Sequence, residues 1–231
     1  MKLKKFNQNK LCVALDGFSA SGKSLGAKLI SKKYKLHLLN SGLLYRFAAF
    51  LILKHKPKKK IPFLRKKFGK LNYKNLTRLN LHTEEISNYS ANIAKEKKIR
   101  LILKNFQKKF AKKFKKIAIE GRDISTKILN KNPRYDVSFF FKCNLNTAAY
   151  RRWKDLKTSN KQITLKEVRK SLKKRNELDV KRRFSPLIQS KDSIIIRTDI
   201  LSKKGMVKRM SREIDKKLFL KYGRNIKTGK K

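Results

Sequence analysis

Acidic residues are scarce in this chain: 15 Asp and Glu stand against 65 Lys and Arg, a formal charge of +50 over 231 residues. Lysine accumulates wherever a surface tolerates it, and a surface so basic attracts polyanions with strong salt dependence, so any RNA binding is expected to be weak and non-specific. Apolar residues at 39% and aromatics at 10% exclude a disordered polycation. Cysteine is nearly absent. Cys12 and Cys143 lie far apart in predicted strands, which suits two buried thiols in a reducing compartment better than a disulfide framework. The three histidines, His37, His55 and His82, have no metal-ligand spacing. Long hydrophobic runs are missing as well. "FAAFLIL", residues 47–53, falls far short of the roughly 20 residues that span a bilayer, and the apolar "LCVALDG" runs straight into a glycine loop, leaving no place for a cleavable signal. A cytoplasmic protein is expected. With no Ser/Gly linker and no long repeat, a single domain over residues 1–231 is expected.

What is present is an alternation. Short, almost continuously apolar runs at 11–15, 36–39, 117–119, 137–141 and 194–196 predict buried parallel strands. Helix-like stretches at 23–34, 43–54, 84–116, 147–156, 165–179 and 203–218 separate them. This order predicts an α/β sandwich with a parallel sheet. Residues 54–76, with "KHKPKKKIP", break the rhythm and read as a small insert. In "LILKNFQKKFAKKFKK", Phe106, Phe110 and Phe114 recur every four residues, which predicts a stripe docked on the core rather than a base-stacking platform.

The motif that carries chemistry is "GFSASGKS", residues 17–24: Gly17, four residues, then Gly22-Lys23-Ser24, placed between a strand and a helix. Glycines let the backbone turn tightly and approach an anion, amides and a helix N-terminus face its oxygens, Lys23 reaches the β/γ phosphates, and Ser24 ligates magnesium. The guanine signature Asn-Lys-x-Asp does not occur, and an ATP motor would be longer. Arginine lies near polar and acidic partners three times more: "NSGLLYR" at 40–46, "EGRD" at 120–123 on the third strand's end, and "RNELDVKRRFSPL" at 175–187. The last group spaces Arg175, Asp179 and Arg182 by four and three, as ordinary surface helix pairs also do. With the loop, the three groups suit a site for two phosphate chains.

"VALDGFSASGKS", "HLLNSGLLYR", "IAIEGRD" and "RNELDVKRRFSPL" together resemble the bacterial cytidylate kinases, over roughly residues 11–200. The resemblance implies a P-loop nucleoside monophosphate kinase: a three-layer sandwich with a five-stranded parallel sheet, an acceptor-binding insert near 55–100 and a lid near 150–185. It implies transfer of the ATP γ-phosphate to CMP or dCMP with Mg2+, by a monomer. Lys23, Arg122 and Arg182 would be catalytic. Gly17, Ser19, Ala20, Ser21, Gly22, Lys23, Ser24 and Leu25 would hold ATP, with Arg151 and Arg152 on the lid side. Arg46, Arg122 and Arg182 would take the acceptor phosphate, near Ser41. Tyr45, Arg175 and Asp179 would lie by the sugar, Arg100 and Asp123 by the cytosine edge, and Ser24 and Glu120 by the metal.

Against that family's pattern, Glu120 stands for Asp, Leu178 for a lid arginine, Ala91 for a base-contacting serine, and Ser125 for a glycine. The insert is also shorter. Two other readings follow from the residues: a kinase accepting UMP as well as CMP, and a basic nucleic-acid or ribosome-associated protein that keeps the loop without kinase activity.

Overall fold

The structure is a computed structural model that describes residues 10–158 and 162–223. Five strands, β1 (Leu11–Gly17), β2 (His37–Asn40), β3 (Lys116–Glu120), β4 (Val137–Lys142) and β5 (Ile194–Arg197), form one sheet in the order β2-β3-β1-β4-β5. Every neighbouring pair is parallel, with Leu15 opposite Glu120 and Gly17 opposite Phe141. The strands match the sequence expectation to within one or two residues.

Alternation along the strands builds two cores. Leu11, Val13 and Leu15 of β1 join Ala118, Phe139, Phe141 and Ile196. They pack under α1 (Lys23–Tyr34) and α8 (Lys203–Tyr222), through Ala27, Ile30, Met206, Met210 and Ile214. On the other face Ala14, Leu39, Ile117 and Ile119 pack under α2 (Ser41–His55), α3 (Lys60–Gly69), α4 (Glu84–Ile93) and α5 (Lys97–Lys113). A sheet covered on both faces needs apolar residues at nearly every strand position, which is why the strands read as unbroken runs. Each fully buried Leu or Phe contributes roughly 1.5–3 kcal/mol by leaving water.

Three expectations need correction. The predicted helix at 84–116 is two helices, α4 and α5, because α4 packs on α2 and α5 on α3, and one rod cannot cover both. The break falls at 94–96, where the N–H groups of Lys95 and Glu96 turn back to Asn92 and Ile93 carbonyls. The insert contains α3, which shows little period because only Leu64 and Phe68 of it are fully buried among lysines. Finally, Cys143 lies just past β4, and both thiols are only partly buried. The phenylalanine stripe docks as expected: Phe106 meets Phe68, and Phe110 meets Tyr73 and Phe114 edge to face.

A further helical pair, α6 (Leu145–Lys157) and α7 (Leu165–Lys181), has a small core of its own built from Ala148, Ala149, Val168 and Leu172. Thr164 and Glu167 close a capping box at the start of α7. From β1 the chain moves to β2 on one side, and from β3 to β4 on the other side of β1. That reversal opens a crevice at the carboxyl ends of β1 and β3, where open parallel sheets bind ligands.

Candidate active site

The loop after β1 is shaped by its backbone. Gly17 presses on β4, where an added Cβ would lie 2.4 Å from the Phe141 carbonyl oxygen. Ala20 (φ 54) and Gly22 (φ 75) are left-handed. Helix α1 then starts at Lys23 with no side chain capping its first amides, so those N–H groups stay available to an anion. The loop is braced from outside: Thr198 Oγ1 donates to the Ser21 carbonyl at 3.0 Å, and the Ser19 N–H donates to Asn176 Oδ1 of α7 at 3.0 Å.

At the loop's end, Lys23 Nζ is 3.3 Å from Glu120 Oε2, and Ser24 Oγ donates to that same oxygen at 2.7 Å. Burial lowers the Lys23 ammonium from its ordinary pKa, and Glu120 only partly opposes this. The hydroxyl and carboxylate oxygens are hard donors that suit Mg2+. No cluster of three or more His, Cys, Asp or Glu forms a metal site among the described residues, so an ion here would draw its other ligands from phosphate and water.

Facing the loop is an arginine cluster. Arg122, just past β3, donates from Nε to Asp179 Oδ2 at 2.8 Å and from Nη2 to Ser19 Oγ at 3.0 Å. Asp179 Oδ1 accepts from Arg182 Nη1 at 3.1 Å. Burial alone would raise the Asp179 carboxyl, but Arg122 and Arg182 outweigh it and hold it below the usual range. Arg46 of α2 and Arg175 of α7 complete the cluster without a comparable carboxylate. Burial, then Arg152 and Arg122, lower Arg46; burial, then Arg122 and Arg46, bring Arg175 down to about 10. Arg46 Nε and Arg182 Nη2 are buried with no hydrogen-bond partner among the described residues. Guanidiniums that repel one another and keep free N–H donors are suited to an anion that enters from outside.

Beyond the arginines, Arg100 Nη2 pairs with Asp123 Oδ2 at 2.6 Å, and its guanidinium lies 5.5 Å from the Tyr45 ring centre. Burial lowers Arg100, but Tyr45 and Asp123 raise it further, for a net upward shift. Ser41 Oγ accepts from the buried Gln107 Nε2 at 2.6 Å, which leaves the Ser41 hydroxyl proton free to donate. Arg151 Nη2 donates to the Thr198 carbonyl at 2.8 Å, and Arg152 lies on the same helix.

All the site residues that the family resemblance implied, except Gly17, line one cleft of about 850 Å³. Gly17 acts through its contact with β4 instead. The sequence reading missed Asn176 and Thr198, which brace the loop backbone, Gln107, which holds Ser41, and Asp16, which holds the turn behind Arg122. Asn176 lies within "RNELDVKRRFSPL", so its contact could have been looked for; Gln107 and Thr198 carry no local signal.

A parallel sheet whose first strand feeds an anion loop, with an arginine cluster across the cleft, defines the class of P-loop kinases. Residues 13–216 match the family model described as cytidylate kinase. The cytidylate kinase of Bartonella tribocorum is 31% identical over 195 residues, covering 82% of this chain and 87% of that one. That of Mesomycoplasma hyopneumoniae strain 7448 is 31% identical over 222 residues, covering 90% and 95%. A solved structure of an uncharacterized protein from Eubacterium ventriosum superposes with a TM-score of 0.55 at 18% identity, covering 90% of this chain and 99% of that one, a likeness of fold alone. The chain belongs to the cytidylate kinase family.

Proposed function

We infer that this chain transfers the γ-phosphoryl group of ATP to CMP or dCMP, giving ADP and CDP or dCDP. The observation that carries this reading is the pair of anion-seeking regions facing each other across one cleft: the uncapped loop with Lys23, and the buried arginines with unused donors. The acceptor phosphate, with a second pKa near 6, is mostly a dianion at neutral pH and needs no general base. The task is to hold two anions in line while charge spreads over the transferred group.

In this reading the amides of residues 19–25 cradle the ATP phosphates, and Lys23 balances charge at the transferred group. Arg46, Arg122 and Arg182 hold the acceptor phosphate, with the Ser41 hydroxyl donating beside them. Arg175 and Asp179 sit by the sugar with Tyr45, and Asp123 and Arg100 meet the cytosine amino group, ring nitrogen and carbonyl. Ser24 and Glu120 would hold magnesium, which neutralises phosphate charge when bound. The pair α6–α7 is the lid: Arg151 and Arg152 ride on it, and its closure excludes water that would otherwise hydrolyse ATP. The region near 55–100 is the acceptor insert.

One observation favours a second acceptor. Ala91 has no hydroxyl, and the neighbouring Ser90 Oγ donates to the Ser87 carbonyl at 2.8 Å. The base is therefore gripped mainly by Asp123 and Arg100, which favours some activity on UMP. A nucleic-acid protein with an idle loop has no use for so ordered an arginine set. The basic surface gives only weak, salt-sensitive RNA association beside a cytoplasmic, monomeric kinase of pyrimidine metabolism. The test is incubation with γ-labelled ATP and CMP. Label in CDP supports the reading; label appearing only as free phosphate contradicts it.

A further inference from the structure

Asp16 is the penultimate residue of β1, directly before Gly17 of the phosphate loop, and it is fully buried. It forms none of the ion pairs found among the described residues. Its carboxylate is instead met by three donors from one short stretch of chain. The Ile124 N–H donates to Oδ1 at 2.8 Å, the Ser125 N–H donates to Oδ2 at 2.8 Å, and Ser125 Oγ donates to Oδ2 at 2.7 Å. One residue earlier on β1, the Leu15 carbonyl accepts from the Gly121 N–H at 2.8 Å. The two residues between these bonds to β1 are Arg122 and Asp123. Their side chains leave in different directions, Arg122 to Ser19 and Asp179, Asp123 to Arg100.

The geometry of donors decides what kind of group is needed. An ionised carboxylate offers only acceptors, and here every neighbour within hydrogen-bond reach is a donor. A carboxamide of the same shape must turn one NH₂ towards an N–H, so it cannot satisfy the set. Hydrogen bonds to a charged acceptor are short and stronger than neutral ones, and both amide contacts sit at 2.8 Å. The Ser125 hydroxyl is the third donor, at a position where a glycine could supply none.

We propose that Asp16 is a positioning residue for the acceptor. Its buried carboxylate fixes the turn that presents Arg122 and Asp123, and so sets acceptor affinity from a place no substrate touches. The proposal deepens the kinase reading and rests on it. It predicts selectivity: the turn serves the acceptor and touches the ATP loop only through Arg122 on the Ser19 hydroxyl, while the loop backbone is held by Thr198 and Asn176.

The experiment measures binding of CMP and, separately, of a non-hydrolysable ATP analogue by calorimetry, with thermal unfolding alongside. Two variants are compared with wild type. Asp16→Asn is expected to weaken CMP binding by about tenfold or more, the scale of one lost hydrogen bond to a charged group. ATP-analogue affinity is expected to stay within about twofold, since the loop amides and their backbone braces at Ser19 and Ser21 are untouched. Ser125→Ala removes one donor of three and keeps the backbone bonds. It is expected to weaken CMP binding by a few-fold at nearly unchanged unfolding temperature, which keeps the idea testable if Asp16→Asn does not fold. Unchanged CMP affinity in Ser125→Ala, or equal weakening of both ligands in a folded Asp16→Asn, overturns the proposal. Wild-type protein that binds the ATP analogue but no CMP contradicts the kinase reading itself, and the proposal falls with it.

Discussion

The two ends of the cleft are built by different means. The loop end is made of backbone: left-handed turns at Ala20 and Gly22, a glycine forced against β4, and a helix start left uncapped. The facing end is made of side chains from several elements, with Arg46 on α2, Arg122 after β3, and Arg175 and Arg182 within and just past α7. A backbone site has its donors in one short segment, here braced from outside by Thr198 and Asn176. A side-chain site depends on carboxylates elsewhere to aim each cation, here Asp179 for Arg122 and Arg182, and Asp123 for Arg100. In the proposed reading the donor end is contiguous in sequence, while the acceptor end is assembled from several elements, α7 among them.

This difference can be broken from either side. The largest effect is expected from Lys23→Ala, which removes the one cation of the backbone-built end. Turnover should fall by about 10²–10³-fold, the cost of losing one preorganised group at developing charge, with the fold intact by circular dichroism. Turnover near wild type in a folded protein would remove Lys23 from the chemistry.

Asp179→Ala attacks the other end. It leaves Arg122 and Arg182 without their shared carboxylate and adds repulsion to a cluster already short of negative charge. The acceptor KM should rise by roughly tenfold or more, as for a charged hydrogen bond removed, while the ATP KM changes little. Equal rises for both substrates would mean that the two ends are not built independently.

Gly17→Ala tests the backbone end through stability. The new methyl meets a carbonyl oxygen and a Cβ of β4, neither of which is the free end of a flexible side chain. A loss of about 1–3 kcal/mol is expected, as for other overpacked sites, read from chemical denaturation. An unchanged midpoint would show that the loop yields where it is taken to be fixed.

Leu178→Arg carries the smallest change. Leu178 lines the cleft where the family places a lid arginine, so an added guanidinium should raise turnover or lower the ATP KM by a few-fold. If the rate does not move while Lys181→Ala or Arg183→Ala lowers it, those neighbours already supply the charge.

The same contrast explains what the sequence made legible. The loop end is contiguous, so Gly17, Gly22, Lys23 and Ser24 could be read from spacing alone. The sheet could be read too, because strands covered on both faces must be apolar at nearly every position. At the arginine end, the pairing of Arg175, Asp179 and Arg182 looks like any exposed helix, and only resemblance to a family distinguishes it. Gln107 and Thr198 left no signal because their contacts with Ser41 and Ser21 span more than 60 residues of chain. The split of 84–116 was hidden for a related reason: both halves share one amphipathic period, and only their different partners, α2 and α3, force the break.

The measurement closest to the central claim is ADP formation from ATP with CMP, UMP, AMP and GMP under identical conditions, scored as kcat/KM. In the proposed reading Asp123 and Arg100 meet the cytosine edge, and one good pair of this kind discriminates by roughly 1–3 kcal/mol. The expected result is CMP first, UMP behind it by about one to two powers of ten on that same scale, and the purine nucleotides far below. Equal efficiency with all four acceptors, or ADP formed without any acceptor being phosphorylated, would contradict it.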